Sequence, residues 1–114
     1  MPDAPLPLLK GTLDVLVLKA LTWGPQHGFG IACWLEERSH GVLGVEDSAL
    51  YQALQRMEER GLVAAEWGLT ENNRRARYYT MTTAGRQALR AQTSSWIRYA
   101  DAVTGILTSA TQGA

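Results

Sequence analysis

Glu46-Asp47-Ser48-Ala49-Leu50-Tyr51-Gln52-Ala53-Leu54-Gln55-Arg56-Met57-Glu58-Glu59-Arg60-Gly61 is the stretch on which the reading of this 114-residue chain turns. Leu50, Leu54 and Met57 recur at i, i+4 and i+7, the spacing that collects them on one face of an α-helix. Ser48, Tyr51, Gln52, Gln55, Arg56 and Glu59 fall largely on the other side. Acidic residues at its start suit the positive end of the helix dipole, Asp47 or Ser48 can cap free N–H groups, and Gly61 ends it. Two runs of strand length follow, residues 62–67 and 75–81, separated by a polar segment that carries Asn72 and Asn73. They predict a β-hairpin.

Upstream, Leu13, Leu16, Val17, Ala20 and Leu21 keep helical spacing, and Trp23-Gly24-Pro25 stops the helix they define. A second helix over about residues 27–39 buries Ile31, Leu35 and Trp34, with His27 helping to cap it. Gly28 and Gly30 weaken its start and point to close packing there, and residues 40–44 read as a glycine-flanked loop. After Thr82-Thr83 a helix rich in Ala, Leu, Gln and Arg runs to about residue 109. Leu89, Trp96, Val103 and Leu107 line it with more apolar surface than three short helices and a hairpin can cover, so a second copy of the chain is the expected cover. The fold class is mainly α with a β-hairpin: a winged helix-turn-helix over residues 1–81, then a C-terminal dimerisation helix and tail over 82–114.

Composition removes other classes. An apolar fraction of 46% suits one compact domain, and neither the prolines nor the glycines cluster. The single cysteine, Cys33, closes no internal disulfide and is expected as a small core residue, which favours a reducing, cytoplasmic setting. The N-terminus has no signal-peptide pattern, and the most apolar run, residues 13–21, is short and carries Asp14 and Lys19, so no membrane span is expected. His27, Cys33 and His40 match no metal-ligand spacing, and Gly24, Gly28 and Gly30 form no phosphate loop after a strand. No metal, cofactor or catalytic site is expected, and the chain is not expected to be an enzyme.

Net charge is zero, yet residues 72–100 hold Arg74, Arg75, Arg77, Arg86, Arg90 and Arg98 with no Asp or Glu. A local basic surface is therefore available to a nucleic-acid partner. In the predicted order of elements the third helix is the one that enters a major groove. Tyr51, Gln52, Gln55 and Arg56, with Ser48 at the start, offer donors for base edges and phosphates, although the same face also suits an ordinary solvated helix. At the hairpin tip Asn72, Asn73, Arg74 and Arg75 follow Glu71 without compensating acids and can reach phosphates or a minor groove, which favours DNA binding. The rival is a winged-helix module that binds protein and not DNA, supported by the neutral net charge and by Ala49.

Over about residues 8–89 the chain also resembles the PadR-type transcriptional regulators. The resemblance is carried by Gly11-Thr12-Leu13, Gly24-Pro25-Gln26-His27-Gly28-Phe29, Leu50-Tyr51-Gln52-Ala53-Leu54, Arg56-Met57-Glu58-Glu59-Arg60-Gly61-Leu62-Val63, Arg74-Arg75-Ala76-Arg77-Tyr78-Tyr79 and Thr82-Thr83-Ala84-Gly85-Arg86. It implies a homodimeric repressor on an inverted-repeat operator in double-stranded DNA, with the C-terminal helix of one subunit embracing the other. Two departures stand out: Gln52 where the family often has Pro, and Ala49 where it often has a hydroxyl that contacts phosphate. The single C-terminal helix is similar to the short branch, which includes regulators that admit flat aromatic drugs between subunits. That likeness implies a planar aromatic effector stacking on Trp96, with Gln92, Ser95 and Tyr99 as polar neighbours, and relief of repression by it. The plainer expectation for Trp96 is packing against the partner's first helix.

Overall fold

A computed structural model describes residues 6–9 and 11–110. In chain order the elements are β1 (Leu6–Pro7), α1 (Thr12–Ala20), β2 (Gln26–His27), α2 (Gly28–Arg38), β3 (Leu43–Gly44), α3 (Asp47–Glu59), β4 (Val63–Leu69), β5 (Arg75–Met81) and α4 (Thr83–Leu107). Apolar stripes of the first three helices close on one another: Val17 and Leu18 of α1, with its C-cap Leu21, meet Ile31 and Leu35 of α2 and Leu50, Leu54 and Met57 of α3. Val63, Tyr79 and Met81 of the hairpin seal the open side of that core. Beyond these pairs the hairpin leaves the core and projects as a wing.

The hairpin is two residue pairs deeper than its sequence pattern suggests, because β4 continues through Gly68 and Leu69 to pair with Ala76 and Arg75. Three two-residue strands escape the sequence reading. Gln26–His27 adds antiparallel to Tyr78–Tyr79, giving a three-stranded sheet in the order β2-β5-β4, and Leu43–Gly44 pairs in parallel with Leu6–Pro7 inside the expected loop.

Side chains cap α2 and α4 at their starts, while α1 begins on Gly11 with no side-chain cap. His27 Nδ1 accepts from Gly30 N at 3.0 Å and Thr82 Oγ1 accepts from Gly85 N at 3.0 Å, each satisfying an orphan donor of the first turn. At α3, by contrast, the N-cap is Glu46 and it makes no side-chain capping bond, so neither Asp47 nor Ser48 holds that position.

Cys33 is exposed, which corrects its expected place in the core. It lies two positions from both Ile31 and Leu35, and two helical steps of 100° turn it away from the face they bury. Trp34 is half-buried, with its ring tilted against Trp23 at a centroid distance of 5.5 Å. Helix α4 leans on α1, and from Asp101 to Leu107 every residue is exposed.

Candidate nucleic-acid interface

Ser48, Tyr51, Gln52 and Gln55 are exposed on α3, as the helical spacing requires once Leu50, Ala53, Leu54 and Met57 are buried. Tyr51 is not free to swing. Its ring lies against Gly28 so closely that a Cβ at that position would run into the hydroxyl and ring atoms. The glycine at the start of α2 therefore makes room for a side chain of α3. Gly30 does the same for Gln26, whose Oε1 accepts from His27 N at 3.0 Å.

Arg56 sits at the edge of that face, and its Nη2 donates to Asp14 Oδ1 of α1 at 2.8 Å. The guanidinium is half-exposed but paired, a contact between residues far apart in sequence that periodicity could not reveal.

At the wing tip Asn73 N donates to Thr70 O and Thr70 N to Arg74 O, both at 2.8 Å, while Arg74 N donates to Thr70 Oγ1 at 3.2 Å. Closing so tight a turn puts Asn73 at a φ of 63°, the left-handed region that asparagine tolerates better than most residues. Asn72, Asn73, Arg74 and Arg75 are all exposed there. The register sets Leu69 opposite Arg75 and Trp67 opposite Arg77. Arg77 Nη2 donates to Glu58 Oε2 at 3.0 Å, which ties the wing to the last turn of α3. Trp67, Arg77, Glu58 and Asp14 belong to this surface, and sequence reasoning missed their roles. Counting back from the Asn-rich turn was the available signal for Trp67 and Arg77. Behind them burial raises the pKa of Tyr79, with Arg77 acting the other way and Glu58 adding to the rise.

The residues singled out on α4 scatter. Leu89 packs partly against the core, Val103 and Leu107 are exposed, and Trp96 Nε1 donates to Thr12 Oγ1 of its own chain at 3.1 Å. Trp96 lines an open apolar groove of about 990 Å³ between α1, α4 and the N-terminal segment, together with Leu8, Leu9, Leu16, Leu89 and Ile97. Gln92, Ser95 and Tyr99 lie outside that lining, round the helix from it. Among the described residues no group of three His, Cys, Asp or Glu is placed to hold a metal ion, and no helix is long and apolar enough to cross a membrane.

Three helices around a small core, with the third beside a two-stranded wing, define a winged helix-turn-helix protein. Residues 17–91 match the transcriptional regulator PadR-like family, and the chain belongs to it. It is similar to a PadR family transcriptional regulator from Eggerthella lenta, at 30% identity and a TM-score of 0.73 over 88% of this chain and 85% of that one. PadR of Bacillus subtilis, whose structure was solved in complex with operator DNA, shares the fold at 22% identity and a TM-score of 0.62, over 69% of this chain and 45% of that one. An uncharacterised 37.1 kDa protein in transposon Tn4556 of Streptomyces fradiae is 38% identical over 85 residues. That match takes in 75% of this chain, which thus spans about a quarter, 23%, of the transposon protein.

Proposed function

We propose that the chain is a sequence-specific DNA-binding repressor that acts as a homodimer on an inverted-repeat operator. The observation that carries the reading is the pairing of two exposed donor sets, Tyr51, Gln52 and Gln55 on α3 and Asn73, Arg74 and Arg75 on the wing, on elements joined by the Glu58–Arg77 ion pair. Ser48 and Arg56 flank the first set. The operator complex of the Bacillus subtilis relative supports it from outside. In this reading α3 reads base edges in a major groove while the wing grips phosphates, and two copies engage half-sites about 34 Å apart.

The test is DNA affinity measured across a salt series. Arg75→Ala should weaken binding to all sequences and lower the salt slope by about one per site, whereas Gln55→Ala should relax preference at one base position. Unchanged affinity after joint replacement of Tyr51, Gln55, Arg74 and Arg75 by alanine would leave a protein-binding module as the better description.

The dimer is supported by the apolar residues that α4 leaves in water, Trp96, Ile97, Val103, Ile106 and Leu107 among them, and by the groove beside them. A folded chain that stays monomeric at micromolar concentration in light scattering would end that part of the proposal. Relief by a planar aromatic effector on Trp96 is the finest part of the reading. Fluorescence titration of wild type against Trp96→Ala tests it: quenching of equal affinity in both would reject Trp96 as the stacking residue.

A further inference from the structure

Trp67 is 58% exposed in the middle of a strand. The sheet's core-facing pairs end below it: Val63 stands opposite Met81 and Ala65 opposite Tyr79, and Trp67 comes next on the same face, where no core remains to fill. Its ring is instead occupied by cations. The Arg75 Cζ lies 4.5 Å from the indole centroid and the Arg77 Cζ 5.9 Å from it.

The two guanidiniums are otherwise unlike. Arg77 is bonded to Glu58 at 3.0 Å, so its charge is matched and its place fixed by α3. Among the described residues Arg75 has no carboxylate within ion-pair distance. A carboxylate partner would neutralise a guanidinium and use its N–H donors, but an aromatic face restrains the group while leaving charge and donors available.

We propose that Trp67 is a positioning residue of the wing, holding the Arg75 guanidinium in place for a DNA phosphate. The inference rests on the DNA-binding reading above. It gives the order Glu58, Arg77, Trp67, Arg75 a single purpose: the end of α3 fixes Arg77, the strand pairing sets Trp67 beside it, and the indole holds the cation nearest the tip. Arg75 then meets a phosphate with less side-chain freedom left to lose.

Trp67→Leu and Trp67→Phe, each alone and combined with Arg75→Ala, provide the test. The probe is a fluorescein-labelled duplex selected by the wild-type protein from a random pool, titrated over a range of salt. Trp67→Leu should weaken binding about two- to fivefold per wing and lower the salt slope by about one. Trp67→Phe should retain most of the affinity, and Trp67→Leu should add nothing in the Arg75→Ala background. Wild-type affinity in Trp67→Leu would overturn the proposal while leaving DNA binding intact, as would an undiminished loss in the Arg75→Ala background. Failure of the wild type to select any duplex would overturn both.

Discussion

Gly85→Ala should destabilise the protein, although helix propensity alone gives the opposite sign. Replacing a glycine inside a helix by alanine is favourable by about 0.8–1.0 kcal/mol when nothing else changes. Gly85 is the buried residue of α4, however, and a Cβ there would strike the Leu62 carbonyl oxygen and stand 2.8 Å from Met81 Cγ. The carbonyl is not free to retreat. It accepts from Thr82 N at 3.0 Å and has Thr82 Oγ1 at 3.1 Å, while the same hydroxyl donates to Gly61 O at 2.7 Å and caps α4 through Gly85 N. Overpacking costs about 1–3 kcal/mol and each loosened hydrogen bond about 0.5–1.5, so after the propensity gain the net loss is about 1–3 kcal/mol. Gly105→Ala is the control within the same helix, because nothing lies within 4 Å of a Cβ there. It should stabilise by up to about 1 kcal/mol, less whatever fraying near the helix end removes. Urea unfolding followed by far-UV circular dichroism, at one fixed protein concentration, compares the two. A Gly85→Ala midpoint shifted upward, in step with Gly105→Ala, would refute the argument that the approach of Leu62 and Met81 to α4 demands a glycine.

Gly28→Ala should cost about 1–3 kcal/mol by forcing the Tyr51 ring aside, and the cost should largely vanish in a Tyr51→Ala background, measured as a double-mutant cycle in urea. Asp14→Asn should change stability by less than about 1 kcal/mol, since the Asp14–Arg56 pair is partly exposed, yet steepen the salt dependence of DNA binding by releasing Arg56; an unchanged slope would mean that Arg56 touches no phosphate. Tyr79, neutral in the fold and with its pKa raised above 10.0 by burial, binds its proton more tightly folded than unfolded. Stability should therefore fall as pH rises above about 10, and Tyr79→Phe should remove that component of an alkaline unfolding titration.

What the sequence discloses depends on how many residues vote. Helix α3 is legible because Leu50, Leu54 and Met57 agree on one face, and the wing because two strand-length runs flank a polar turn. Cys33 misleads because residue type points inward while its spacing from Ile31 and Leu35 points outward, and spacing prevails. Gln26–His27 is too short to announce a strand, and His27 also serves as a helix cap. The partners of the candidate surface are harder still. Asp14 and Arg56 are 42 positions apart and Glu58 and Arg77 are 19 apart, so each pair exists only once the helices and sheet have been folded together. Trp67 is an intermediate case, hidden only because the first strand runs on through Gly68 and Leu69.

The distribution of charge bears on how such a surface would hold DNA. With zero net charge the chain has no overall attraction for a polyanion, and the six arginines of residues 72–100 do not form one patch. The structure divides them: Arg74 and Arg75 lie at the wing, Arg77 is paired with Glu58, and Arg86, Arg90 and Arg98 sit exposed along α4. On α3, Arg56 is paired with Asp14. In the DNA-binding reading, then, each subunit brings few unpaired cations to the backbone, and the electrostatic share of its affinity is correspondingly small. Two consequences follow from the same count. One subunit alone would grip any duplex weakly, so a second copy is needed to double the contacts. Binding that leans less on charge also leans more on the donors of α3 and on how firmly they are held, which gives the close seat of Tyr51 on Gly28 and the Glu58–Arg77 link between α3 and the wing a direct bearing on selectivity.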